Sequence, residues 1–168
     1  MRASFQSALG ALVFNGFSSI VRRPASATIM LAAAGVEGVS FERLLETSDY
    51  VSVHAPLLPA TRGLFNADIF TKMKPGAFLI NTARGPLVDE EALVAALDSG
   101  RLGGAALDVV TTEPLARDSK LIGRDNVILT PHTAFYSVEA LEELQTKCAT
   151  DVARVLSGEK PVYPVKPA

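Results

Sequence analysis

The chain reads as an α/β protein built on a doubly wound parallel sheet, and three observations predict it. Short, almost wholly apolar runs recur at residues 50–53, 77–80, 105–110 and 127–130. Segments with helical spacing fall between them. A polar residue able to do chemistry follows or closes each run. Short apolar runs suit strands covered on both faces of a parallel sheet. Regular alternation of strand and helix calls for right-handed crossovers and double winding.

Taken in order, the stretch before Gly35 contains no Asp or Glu and holds Arg2, Arg22 and Arg23, with a mildly apolar segment over 8–17. Ser40 is placed to cap a helix carrying Phe41, Leu44 and Leu45. The first clear strand is 50–53. A short helix over 66–72 ends before Pro75. After the strand at 77–80, Asp89 can cap a helix with Ala92, Leu93, Ala96 and Leu97 on one face and Gly100 past its end. Beyond the strands at 105–110 and 127–130, Ser137 can cap a longer helix that Gly158 stops. Its stripe is Leu141, Leu144, Cys148, Val152 and Val155. The only cysteine, Cys148, lies on that stripe, so a buried, unreactive thiol is expected, and a reducing, cytoplasmic compartment fits.

With 168 residues, 48% hydrophobic and 20% charged, the chain can bury a core of its own. A net charge of −2 gives no reason to expect nucleic acid or an acidic membrane surface as partner. No apolar run reaches the length of a membrane span.

In open parallel sheets, ligands bind beyond the carboxyl ends of the strands. His54, Thr82, Ala83, Arg84, Asp108 and His132 all lie there. His132 can give or take a proton, since histidine's ordinary pKa is near neutrality. A carboxylate such as Glu113 against the imidazole would fix its tautomer. Alone, Glu113 reads more simply as a solvated loop acid. The guanidinium of Arg84 can grip a carboxylate through two parallel hydrogen bonds, and Gly85 and Pro86 shape a rigid turn around it. Asp108 ends a buried strand and needs a partner. A ligand amide and a structural partner are equally good candidates.

These residues resemble a known family. The motifs are Val51-Ser-Val-His-Ala-Pro-Leu57 with Thr61, Met73-Lys-Pro-Gly-Ala-Phe-Leu-Ile-Asn-Thr-Ala-Arg-Gly-Pro-Leu-Val-Asp89, Gly104-Ala-Ala-Leu-Asp-Val109, Glu113-Pro114 and Leu129-Thr-Pro-His132. Together they are similar to the D-isomer-specific 2-hydroxyacid dehydrogenases. The tail from His132 to Ser137 is most similar to the branch containing C-terminal-binding-protein dehydrogenases. The resemblance implies an incomplete Rossmann-type fold, an NAD cofactor, and an enzyme that moves a hydride between nicotinamide and C2 of a D-2-hydroxy acid. Its partner would be a small 2-hydroxy or 2-keto acid, its assembly a homodimer, and no metal is implied. Arg84 becomes the substrate anchor, His132 the general acid/base and Glu113 its companion. Asp108 would bind the nicotinamide carboxamide. His54, Ala55, Pro56, Thr61, Thr82 and Ala83 would line the cofactor's ribose side, and Phe135 would sit near the nicotinamide.

Departures from the family pattern cluster at the start. The turn G-x-G-x-x-G is represented only by Gly10 and Gly16, residues 24–36 contain no ribose-binding acid, and most of the substrate domain is expected to be absent. The chain is therefore divided into an atypical segment at 1–34, an NAD-binding domain at 35–164 and a tail at 165–168. The first segment reads as a remnant of the glycine loop and its helix over 9–23, as a targeting peptide, or as a misread frame. A non-catalytic NAD(H)-sensing or protein-interaction module is the alternative function.

Overall fold

In the computed structural model, which describes residues 11–13, 19–21 and 37–164, helices begin where a side chain can cap them. Ser40 accepts from the Arg43 amide at 3.1 Å and opens α1, Phe41–Thr47. Asn66 accepts from the Ile69 amide at 3.1 Å and opens α2, Ala67–Lys72. Asp89 accepts from the Ala92 amide at 3.0 Å and opens α3, Glu90–Asp98. Ser137 accepts from the Ala140 amide at 3.0 Å and opens α4, Val138–Leu156. Each cap satisfies an amide that the first turn leaves without a partner.

The chain divides into two units, Met1–His132 and Thr133–Ala168. The first holds a seven-stranded sheet: β1 Ala11–Val13, β2 Ser19–Val21, β3 Glu37–Val39, β4 Tyr50–Val53, β5 Ala77–Asn81, β6 Leu102–Leu107 and β7 Val127–Leu129, in the order β3-β2-β1-β4-β5-β6-β7. Strands β4 to β7 are mutually parallel. Only β1 runs against its neighbours, pairing antiparallel with both β2 and β4. Thus Ala11–Val13 and Ser19–Val21 are strands where the sequence pointed to a glycine-loop remnant and its helix. Gly10, Gly16, residues 24–36 and the tail at 165–168 lie outside the described residues.

Register across the parallel strands decides where the site falls. Val53 pairs with Asn81, Asn81 with Leu107, and Leu107 with Leu129. These four residues form one row at the carboxyl ends of the strands. The residues that follow them, His54, Thr82, Asp108 and Thr130, start the rim together.

Two expectations need correcting. The third apolar run was placed at 105–110, but β6 begins at Leu102 and ends at Leu107. Gly103 and Gly104 are poor strand residues by propensity. They are held here because a Cβ at Gly104 would lie 2.7 Å from the Phe78 ring, and one at Gly103 2.5 Å from the Gly76 carbonyl oxygen. Coverage of the sheet also differs. Val51, Val53, Leu79, Ala105 and Leu107 are buried against Leu44, Leu45, Phe70, Met73, Leu93 and Leu97 in one core. On the opposite face Tyr50 is 48% exposed, Phe78 39% and Ile128 66%. Helices α1, α2 and α3 all feed the single core, so the described helices of the first unit pack on one face of the sheet. Tyr50 and Phe78 stack on the open face with ring centroids 5.3 Å apart.

The second unit is α4 and the short segment after it. Asp151 accepts from the amides of Val162 and Tyr163, both at 2.9 Å, and so ties that segment back to the helix. No residue of α4 is buried, and Cys148 is exposed. This corrects the expectation of a buried thiol: within this unit no second helix or strand among the described residues covers the stripe. No described helix is long and apolar enough to cross a membrane.

Candidate active site

Asn81 ends β5 fully buried, so its side chain must be satisfied locally. Its Oδ1 accepts from the Ala83 amide at 3.0 Å, and its Nδ2 donates to the Arg84 carbonyl at 2.9 Å. This side-chain turn bends the chain through Thr82 and Ala83 and delivers Arg84 to the surface. Arg84 is exposed, and its Nη1 donates to the Ala83 carbonyl at 2.6 Å. Among the described residues no carboxylate forms a salt bridge with it.

Gly85 follows, in a 3-10 turn spanning Gly85–Leu87. A Cβ there would lie 1.9 Å from the Val110 carbonyl oxygen. Backbone therefore meets backbone, and the Arg84 turn is seated on the loop that leaves β6. Glu90, in the first turn of α3, accepts from the Thr111 amide of that loop at 2.5 Å. Two independent contacts pin one loop to the other.

Asp108 is 5% exposed just past β6. The Thr130 hydroxyl donates to its Oδ1 at 2.5 Å, so the buried carboxylate is satisfied across the strand ends. His132 has φ 55, the left-handed region that a non-glycine residue enters only when its surroundings hold it. Here its amide donates to the Asp108 carbonyl at 2.9 Å and the Thr130 carbonyl at 3.0 Å. Its ring Nδ1 lies 2.8 Å from Glu113 Oε2, while Glu113 Oε1 accepts from the Val110 amide at 3.2 Å. An ionised carboxylate only accepts, so Nδ1 carries the hydrogen and Nε2 is the nitrogen whose protonation changes.

The His132 ring and, next, the Val110 amide hold the Glu113 carboxyl below the ordinary glutamate range. A pKa lowered in the folded state adds stability that is complete above the ordinary value of 4.5 and is lost as pH falls through the lower folded value. Glu113 is 39% exposed, so solvent keeps the effect small. Thermal melts taken from neutral pH down through this acidic window are expected to fall less steeply for Glu113→Gln than for the wild type. Superimposable acid limbs would show that the pair contributes nothing to stability.

Asp108, Glu113, Thr130 and His132, with the apolar Pro114, Leu115 and Leu129, wall a pocket of about 350 Å³. Three of the residues singled out in the sequence therefore converge. Arg84 is not a wall of this pocket and stands on the turn pinned beside the Glu113 loop. His54 lies past β4, exposed, with Nε2 2.9 Å from the Ser52 hydroxyl. Thr61 is buried and donates to the Pro56 carbonyl at 2.7 Å, closing the loop after Ala55. Phe135 belongs to the second unit, where its ring meets Tyr136 edge-on at 4.2 Å.

Sequence reasoning missed Thr130, Asn81 and Glu90. Asn81 carried a usable signal, an asparagine at a strand end two residues before the amide it caps. Thr130 and Glu90 carried none, because each acts on a residue about twenty positions away.

The family described as D-isomer specific 2-hydroxyacid dehydrogenase, NAD binding domain, matches residues 12–134. The chain is 46% identical over 144 residues to D-3-phosphoglycerate dehydrogenase 2, chloroplastic, of Arabidopsis thaliana, which covers 86% of this chain and 23% of that protein. It is 48% identical over 126 residues to a glyoxylate reductase of Thermofilum pendens, covering 75% and 37%. Among solved structures, the holo form of Rhodotorula graminis D-mandelate dehydrogenase superposes with a TM-score of 0.79 at 37% identity, covering 89% of this chain and 44% of that one. The chain thus spans less than half the length of each of these relatives.

Proposed function

The chain belongs to the D-isomer specific 2-hydroxyacid dehydrogenases through their NAD-binding domain, and on that premise we propose that it supplies the cofactor and proton-transfer side of an NAD-dependent oxidoreductase acting on a D-2-hydroxy acid. The observation that carries this reading is the Glu113–His132 contact at 2.8 Å in the same pocket as Asp108.

The pocket residues fit a nicotinamide. Asp108 offers a carboxylate acceptor to a primary amide, and Pro114, Leu115 and Leu129 offer apolar walls to a ring. When bound, NAD supplies the hydride chemistry at the substrate's C2. His132 Nε2 takes the proton of the C2 hydroxyl in oxidation and returns it in reduction. Glu113 keeps the ring in the tautomer that allows this and remains ionised while it does so. Arg84 holds the substrate carboxylate and carbonyl. The assignment of His54, Ala55, Pro56, Thr61, Thr82 and Ala83 to the ribose side, and of Phe135 to the nicotinamide, rests on resemblance alone. So does the homodimer, while a cytoplasmic location rests on the lone cysteine, Cys148. The narrower branch assignment rests on residues 132–137.

Titration of the protein with NADH, followed by nicotinamide fluorescence, tests the reading. Saturable binding is expected, weakened about tenfold or more in Asp108→Ala, equivalent to about 1.4 kcal/mol. A folded wild-type protein with no saturable response ends it. Binding with no turnover of any 2-oxo acid transfers support to the NAD(H)-sensing alternative.

A further inference from the structure

The carboxyl ends of β6 and β7 share a side-chain hydrogen bond that proton transfer at His132 does not use. Leu107 and Leu129 pair in register, so Asp108 and Thr130 leave the sheet side by side. The Thr130 amide donates to the Leu107 carbonyl at 3.1 Å, which holds its backbone against β6. Threonine is β-branched and stiff at its first side-chain torsion, so a held backbone also aims its hydroxyl. That aim is across the strand ends, to Asp108 Oδ1 at 2.5 Å.

Satisfying a buried acid explains the contact but not its place. Both residues wall the pocket that holds His132. The His132 amide donates to the carbonyls of the same two residues, at 2.9 Å to Asp108 and 3.0 Å to Thr130. The pair that can meet a cofactor's amide is therefore the pair that seats the imidazole. The hydroxyl hydrogen on Oδ1 orients the carboxylate, and an ionised carboxylate only accepts. A carboxylate held in this way suits a ligand group with N–H to give, such as a primary amide. It has nothing to offer a ketone in the same place.

We propose that Thr130 is a positioning residue for cofactor selectivity: acting through Asp108, it makes the pocket choose a pyridine ring that carries a primary carboxamide. The proposal rests on the NAD reading and adds a second residue to it.

Calorimetric titration with NADH and with its reduced 3-acetylpyridine analogue, in which a methyl replaces the amide nitrogen, tests this role. The wild type is expected to bind NADH about tenfold or more tighter than the analogue. Thr130→Val removes the hydroxyl at nearly constant shape. It is expected to weaken NADH binding about tenfold and the analogue no more than about twofold, with most of the loss recovered in Thr130→Ser. Thr130→Ala takes the place of a valine variant that does not fold. On an Asp108→Ala background Thr130→Val should alter neither affinity, because the route through Asp108 is gone. General damage weakens both ligands alike, so a parallel loss overturns the proposal, as does NADH affinity unchanged in Thr130→Val. A wild type that binds the two ligands equally overturns it and leaves NAD binding standing. A wild type that binds neither overturns both.

Discussion

Replacing His132 with asparagine is expected to lower NADH-dependent reduction of a 2-oxo acid by about 10²–10⁴-fold, the usual share of a positioned general acid. Asparagine is the informative replacement. It is among the residues that best tolerate the left-handed backbone recorded here, φ 55. Its amide can still donate toward Glu113, so the hydrogen bond made by Nδ1 has a stand-in. What disappears is Nε2 and the proton it carries. The loss should fall on kcat, with NADH affinity changed no more than about twofold, because an interaction made only in the transition state is being removed. Steady-state kinetics with a parallel fluorescence titration separate these outcomes. Retained turnover in the variant would show that the proton comes from elsewhere. A parallel loss of NADH affinity would mean that His132 positions the cofactor instead.

Gly85→Ala should have the largest structural effect of any single methyl group at this site. The added Cβ would sit 1.9 Å from the Val110 oxygen and 2.0 Å from its carbon. Both are backbone atoms, so no rotamer change relieves the overlap, and the two loops must separate by more than an ångström. Forcing extra atoms into packed structure costs about 1–3 kcal/mol, and a backbone clash belongs at the upper end. Function should suffer further. Val110 donates the amide that holds Glu113 Oε1, and Thr111 is tied to Glu90. Moving Val110 therefore loosens the carboxylate that orients His132. Displacements of about 1 Å at a catalytic group can cost about 10²-fold in rate. Urea denaturation reports the first effect and NADH-dependent turnover the second. Wild-type stability in Gly85→Ala would show that the two loops are not seated on each other as described.

Much of this site is legible in the sequence, and the reasons are local. Ser40, Asn66, Asp89 and Ser137 announce helix starts because each side chain reaches an amide three residues ahead. The strand Tyr50–Val53 stands where its apolar run placed it. His54, Arg84 and His132 were recognisable as rim residues because they stand within four residues of a run's end, and Asp108 because it is the one charged residue in the third run. The start of β6 was hidden, since Gly103 and Gly104 owe their place to the Phe78 ring and a distant carbonyl rather than to propensity.

From Phe41 onward, sequence alone determined the main helices and strands, their order and the chemistry available at the strand ends. These depend on neighbours within a turn or a strand, and the chain carries that information position by position. Tertiary structure decided which of those groups meet. Asp108, Glu113 and His132 share a pocket while Arg84 stands on the adjoining turn, the described helices of the first unit pack on one face of the sheet, and Cys148 is open to solvent. Each of these outcomes depends on how distant segments meet, as Gly85 meets Val110 and Thr130 meets Asp108. Such contacts form only once strand register has aligned the ends of the sheet.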